Sequence, residues 1–332
     1  MRAVVCCSFD DPAATRVEDV PSPAPGPNDV LIRVRAAGVS FANLLVLTGK
    51  HQNRAEPPFT PGTEIAGTVI AVGPEVSRFK AGDRVVAGVR NGGFAEEAVA
   101  PERTVYPLPD GVSFVQAVHF PTIYATAYAG LKWRAHLAPG ESLLVHGAAG
   151  GSGLAAIEIG KRLGARVIAV AGADAKLDAA RRHGADVLVD RREGSIIEAV
   201  LAATDGRGAD VVFDPVGGDA FRESMKCVAP DGRLIPMGFA SGEIPTIPAN
   251  IALVKNVTVI GLYWGYYVGW GRIAPPPGME TRVRAAFAEM LGWCADGRLA
   301  PETWKTFGLA EFHAALDAIR SREVIGRVAL EM

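Results

Sequence analysis

The stretch from Leu143 to Ala171 constrains this chain more than any other, because it reads as a strand, a glycine turn, a helix and a second strand. Leu143 to Val145 is a short apolar run. Ala148, Gly150 and Gly153 then stand where a dinucleotide fingerprint puts its three small residues, and Ser152 to Leu163 carries apolar residues at helical spacing until Gly164. Small residues let the backbone approach a pyrophosphate, so that bare N–H groups and the positive end of the helix dipole face the anion. Ala148, Gly150, Gly151, Ser152 and Gly153 are therefore candidate cofactor contacts. The first position is Ala148 and not Gly, a mild departure from the pattern. The bland alternative is an ordinary tight turn, but both flanking elements have the right lengths.

What surrounds this unit fixes the architecture. Residues 1 to about 110 are rich in Val, Gly and Pro and break repeatedly at turns such as Gly73-Pro74 and Gly82-Asp83, the pattern of a β-rich domain with Val30–Ala36 and Glu64–Val72 as its clearest strands. A short helix is expected over Ser40–Leu47. Beyond the glycine turn, strands at 185–190, 210–214 and 233–237 alternate with helices at 176–183, 196–203 and 221–229, which means a parallel, doubly wound sheet. Val257–Trp264 reads as a long apolar edge strand that can pair across a homodimer. Helices at 282–293 and 309–320 and a strand at 326–330 return to the first domain. The expected division is 1–120 completed by 270–332, with 121–269 between them.

Bulk properties narrow the function. The chain has 332 residues, 49% of them hydrophobic, and a net charge of -2, which gives no footprint for nucleic acid. No apolar window suggests a membrane span, and the apolar start is too short for a signal peptide, so a cytoplasmic protein acting on a small molecule is expected. Cys6, Cys7, Cys227 and Cys294 show neither a paired spacing nor a cluster with His, as expected of structural thiols.

Pro61-Gly-Thr-Glu-Ile-Ala-Gly67, Gly82-Asp-Arg-Val85, Pro121-Thr-Ile-Tyr-Ala-Thr-Ala-Tyr128 and Val145-His-Gly-Ala-Ala-Gly-Gly-Ser-Gly153 occur in this order. Together they make the chain resemble the medium-chain dehydrogenase/reductase superfamily, and within it the zinc-free NADPH:quinone oxidoreductases of the zeta-crystallin type. The resemblance implies an α/β protein with a GroES-like catalytic domain and a Rossmann domain, and an active site in the cleft between them. Zinc-dependent relatives have a Cys where this chain has Ser40 and a His-Glu pair where it has Thr63-Glu64. Ser and Thr are poor zinc ligands, so no metal is expected, and hydride donation to a quinone or an activated alkene is the chemistry that remains natural.

The cofactor reading favours NADPH. An acid that would hold a ribose 2′-hydroxyl is missing at Val170-Ala-Gly172, while Lys176 follows and the next strand ends Asp190-Arg-Arg192, so two or three cations can converge on a 2′-phosphate. The resemblance adds Arg322 and places Arg191 where relatives carry a Tyr. Asp174 is the counter-evidence, since it can reach a ribose hydroxyl. At the reacting end the resemblance puts Thr126 beside the nicotinamide, with Val216, Gly238 and Phe239 bordering the ring. Ser40 and Asn43 replace the family's Asn and Asp, and Asn43 can donate to a quinone or enolate oxygen. His51 replaces a Tyr and is a candidate proton donor. Tyr263, Trp264, Tyr266 and Tyr267 offer aromatic faces for a flat acceptor, although packing or a dimer contact is the commoner use. The rival readings are an enoyl-thioester or 2-alkenal reductase and, from another class, a non-catalytic dinucleotide-binding structural or RNA-binding protein.

Overall fold

The computed structural model describes residues 1–11, 14–51 and 54–332. Its strands, in chain order, are β1 (Arg2–Val5), β2 (Arg16–Asp19), β3 (Asp29–Val39), β4 (Glu64–Val72), β5 (Arg84–Gly88), β6 (Glu97–Pro101), β7 (Val105–Pro107), β8 (Ser142–Val145), β9 (Arg166–Ala171), β10 (Val187–Asp190), β11 (Ala209–Asp214), β12 (Val228–Pro236), β13 (Thr258–Val259), β14 (Thr303–Gly308) and β15 (Arg327–Glu331). The chain forms two compact units, residues 1–122 with 265–332 and residues 123–264.

The first unit is a GroES-like β structure. Its larger sheet runs β14-β15-β3-β4-β5-β7, with β6 also paired to β3. All of these pairs are antiparallel except β14 with β15. Ile32, Val34, Ile65, Val85, Phe94, Val328 and Leu330 fill its interior. In the middle of β3, buried Ile32, Val34 and Ala36 alternate with exposed Arg33 and Arg35, while both ends of the strand are covered on each face. β15 follows the whole second unit in sequence yet pairs with β3 through Val328↔Val39 and Leu330↔Ala37.

The second unit is a Rossmann-type sheet, all parallel, in the order β10-β9-β8-β11-β12-β13. Numbered within the unit this is 3-2-1-4-5-6, the doubly wound order whose direction of winding reverses between its first and fourth strands. Every residue of β8 and β11 is buried, as central strands covered by helices on both faces must be. The helix Gly151–Arg162 lies so close to the sheet that a Cβ on Gly160 would come within 2.5 Å of Leu143.

One element departs from the expected layout. Val257–Trp264 is not a long edge strand: β13 is two residues, and a helical turn over Trp264–Tyr267 follows it. The partner explains this. β13 pairs with Arg233 and Leu234 of β12, which ends at Pro236, and proline has no N–H to carry the ladder further. The strand β14 was not apparent in the sequence; it is held parallel to β15 by a distant pairing that local composition does not encode.

Candidate cofactor and active site

The winding reversal places β8 beside β11, and the loops leaving their carboxyl ends meet. Gly147 turns with φ +56, Gly150 N–H donates to Gly147 O at 3.0 Å, and the helix begins at Gly151. Gly153 permits the turn to sit against the helix, since a Cβ there would lie 2.3 Å from Gly147 O and 2.7 Å from Ala148 Cα. The first N–H groups of a helix have no partner within it, so this end suits an anion. No acidic residue occupies the first turn. Ser152 is half-buried on that turn.

Three loops converge at this edge. A Cβ on Gly147 would meet Val216 at 3.2 Å, and one on Gly217 would meet Phe239 at 2.9 Å. Gly238 lies against Pro215, whose carbonyl would be 3.3 Å from a Cβ there. Ala148, Gly150, Val216, Gly238 and Phe239 thus share one edge of the sheet, with Phe239 partly exposed. Asp214, which sequence reasoning missed, sets the loop: its Oδ1 accepts from Val216 N–H at 2.8 Å and Gly217 N–H at 3.0 Å. An Asp-Pro pair at a strand end is the available signal, because an Asp carboxylate accepts from N–H groups two residues on. Buried beside this turn, His146 bonds Ser224 at 2.8 Å. The Ser224 hydroxyl donates to Ala220 O, so His146 Nε2 is the donor to Ser224. Burial pushes the His146 imidazole below its ordinary pKa, against the pull of Asp214.

At the ends of β9 and β10 the side chains of one small patch are sorted. Arg191 lies across Gly172, where a Cβ would come within 2.4 Å of its Nε. Lys176 is half-buried in the first turns of the helix Asp174–Arg182. Asp174 is paired with Arg192, whose Nε also donates to Asp190 Oδ1 at 2.9 Å and Oδ2 at 3.0 Å. The Arg192 guanidinium holds the Asp190 carboxyl below the usual carboxylate range. Arg322 belongs to the other unit, exposed at the left-handed end of the helix Phe312–Ser321.

Thr126 is half-buried between buried neighbours, on a turn of α-helix, Ala125–Tyr128, flanked by wide π turns over Phe120–Tyr124 and Ala129–Arg134. Such turns often mark functional positions. Two residues before Thr126, the Tyr124 hydroxyl donates to Glu158 Oε2 at 2.6 Å, and Glu158 Oε1 bonds His183 Nδ1 at 2.8 Å. Nothing in the sequence linked these three. Trp264 is buried with its ring 6.4 Å from Trp133, while Tyr266 and Tyr267 pack on each other at 5.5 Å.

In the first unit, Ser40 caps the helix Phe41–Leu47 and its N–H donates to Asn43 Oδ1 at 2.7 Å; Ser40 Oγ donates to the same oxygen at 3.2 Å. Asn43 is only 1% exposed. His51 is half-buried in a bend beyond this helix. Glu64, also buried, accepts from Arg327 Nη1 at 2.8 Å, and the guanidinium further donates to the carbonyls of Val39 at 3.3 Å and Val118 at 3.2 Å. Gly38 makes room for the pair, because a Cβ there would be 2.9 Å from the guanidinium carbon. Among the described residues no three His, Cys, Asp or Glu side chains gather as a metal site. None of the four cysteines is in a disulfide, three of them are buried, and burial pushes the Cys227 thiol up to about 11.

A GroES-like unit joined to a parallel sheet with a glycine-rich turn at its winding reversal defines a nicotinamide-dependent oxidoreductase. The alcohol dehydrogenase GroES-like family matches residues 26–110, and the zinc-binding dehydrogenase family matches residues 151–274. The quinone oxidoreductase-like protein 2 homolog of Nematostella vectensis is 40% identical over 334 residues, covering 99% of this chain and 88% of the relative. The quinone oxidoreductase-like protein 2 of Bos taurus is 37% identical over 332 residues, covering 100% and 92%. A crystal structure of Escherichia coli quinone oxidoreductase complexed with NADPH superposes with a TM-score of 0.91 at 26% identity, covering 100% of both chains. The chain belongs to the medium-chain dehydrogenase/reductase superfamily, among its quinone oxidoreductases. It is an NAD(P)-dependent oxidoreductase. Among the described residues no helix is long and apolar enough to cross a membrane.

Proposed function

We propose that this protein reduces quinones with NADPH and without zinc. The single observation that carries the cofactor choice is the sorting of charge at β9 and β10: Arg191 lies over Gly172, and Asp174 is tied to Arg192. A 2′-phosphate there meets Lys176 and Arg191, while the acid that would prefer a bare ribose hydroxyl is neutralised. Arg322 remains a further candidate for that phosphate.

Held at the glycine turn by its pyrophosphate, a dinucleotide would supply the hydride; the residues of this chain bind, orient and shield. The backbone from Ala148 to Gly153 receives the pyrophosphate, with Gly151 and Ser152 at the helix start. Val216, Gly238 and Phe239 border the ring, and Thr126 orients it. On the acceptor side Ser40 presents its hydroxyl from a cap that Asn43 holds in place, so Asn43 acts as a positioning residue, and His51 is the candidate proton donor. The likeness to the E. coli quinone oxidoreductase in complex with NADPH supports both the cofactor and the acceptor class.

A zinc ion does not fit the residues that stand where zinc-dependent relatives have ligands. Ser40 is bonded to Asn43, and Glu64 is bonded to Arg327. A cation there would have to displace a guanidinium that already neutralises the carboxylate. The exposed Ile244, Ile247, Leu253 and Val254 precede the short edge strand β13 and supply an apolar face for a second copy of the chain.

Steady-state turnover with NADPH and NADH against quinones, crotonyl and acryloyl thioesters and 2-alkenals tests the reading. Quinone reduction at a higher kcat/KM with NADPH is expected. Reduction of the thioesters with no turnover of any quinone would move the assignment to an enoyl reductase.

A further inference from the structure

From the charge arrangement at the ends of β9 and β10 we infer that Arg192 is a specificity-determining residue that acts by disarming two carboxylates and not by touching the cofactor. The inference rests on the NADPH reading above for its biological sense, but the arrangement that carries it is independent of that reading. Asp174 begins the helix Asp174–Arg182, two residues after Gly172, and Asp190 ends β10 opposite Ala171 of β9. Both acids therefore flank the patch that Gly172 and Arg191 define. Left alone, two carboxylates beside a doubly charged phosphate ester repel it, while either can accept from a ribose hydroxyl.

Arg192 engages both. Its guanidinium pairs with Asp174 and, through Nε, with both oxygens of Asp190, and its backbone N–H donates to Asp190 Oδ1 at 2.9 Å. Asp190 is mostly covered, whereas Asp174 is exposed and has freedom to swing once released. The adjacent Arg191 is deployed differently: its side chain crosses Gly172, and among the described residues no carboxylate pairs with it. Of two neighbouring arginines, one holds the acids and the other stays available to an anion. A guanidinium suits the first task because its planar fork can serve two carboxylates at once, which an ammonium does less well.

The test is the ratio of kcat/KM for NADPH to that for NADH in the wild type, Arg192→Gln, Asp174→Asn and the double variant, together with affinities for 2′,5′-ADP and 5′-AMP by calorimetry. Arg192→Gln should lower the ratio about fivefold to tenfold, since the exposed Asp174 and the largely covered Asp190 both lose its guanidinium. It should weaken 2′,5′-ADP more than 5′-AMP. Asp174→Asn in the Arg192→Gln background should restore most of the loss, and Arg192→Lys should restore only part. An unchanged ratio in Arg192→Gln overturns the inference. A lowered ratio with no recovery in the double variant also overturns it, because Arg192 would then contact the phosphate directly. If the wild type itself favours NADH but the ratio still falls in Arg192→Gln and recovers in the double variant, the NADPH reading fails while the role of Arg192 stands.

Discussion

Glu64 on β4 and Arg327 on β15 lie 263 positions apart in sequence, and they close a buried ion pair that sews the last strand of the first unit to its centre. Each charge alone would be costly in that interior, and each is tolerated because the other is there. Glu64→Gln or Arg327→Met should therefore each cost about 3–5 kcal/mol of stability, as one uncompensated charge remains buried. The double variant should be more stable than either single one. Urea unfolding of the four proteins measures this; additive losses would refute the coupling.

Gly153 should not accept a side chain. A Cβ at 2.3 Å from Gly147 O meets backbone, which cannot swing aside as a side-chain end can. Gly153→Ala should lose about 1–3 kcal/mol and bind NADPH at least tenfold more weakly. Thermal unfolding and fluorescence titration read the two effects.

The cap at Ser40 separates two roles for Asn43. Its Oδ1 accepts from the Ser40 N–H and hydroxyl, a task a carboxylate can also perform. Asn43→Ala should cost about 1–2 kcal/mol, and Asn43→Asp should keep most of the stability. Reductase activity should follow the same order if Asn43 works by holding Ser40. Loss of activity in a fully stable Asn43→Asp enzyme would instead place its amide on the acceptor.

Acid should unfold the protein partly through a histidine. His119 is fully buried beside Thr303 Oγ1 at 2.7 Å, and burial lowers its pKa to about 3. The unfolded chain binds this proton near pH 6.5, about the ordinary value for histidine, and the folded chain does so only near 3. Between those limits the unfolded state holds more protons, so stability is full above pH 6.5 and declines by up to about 1.4 kcal/mol per unit as pH falls. His146 pulls in the same direction. His119→Gln should flatten the acid limb of a stability-against-pH curve, and an unaltered slope would assign the acid sensitivity elsewhere.

How much of this could be read from the chain depends on how local its cause is. The glycine turn was legible because contacts within a few residues decide it: Gly147, Gly150 and Gly153 answer to one another and to the adjacent helix. Asn43 was legible as a polar residue at the right place, but its burial in the Ser40 cap was not. Tyr124 meets Glu158, Glu158 in turn meets His183 at the end of another helix, and the partner of Glu64 comes from the far end of the fold, so spacing could not reveal them. Arg191 and Arg192 look alike in sequence; the backbone at the end of β10 aims one over Gly172 and the other at two acids. The edge strand failed for the opposite reason. Val257 to Trp264 has strand-like composition, but a strand's length is set by its neighbour, and β12 stops at Pro236.

The placement of β15 also imposes an order on synthesis. The Rossmann-type sheet is contiguous in sequence and can assemble as soon as residues 123–264 have emerged, whereas β3 must wait for a strand made after all of them. Until then Glu64 has no counter-charge and one edge of β3 stands open. The nascent GroES-like unit is thus the vulnerable half of this protein, and the arrival of Arg327 is the event that seals it.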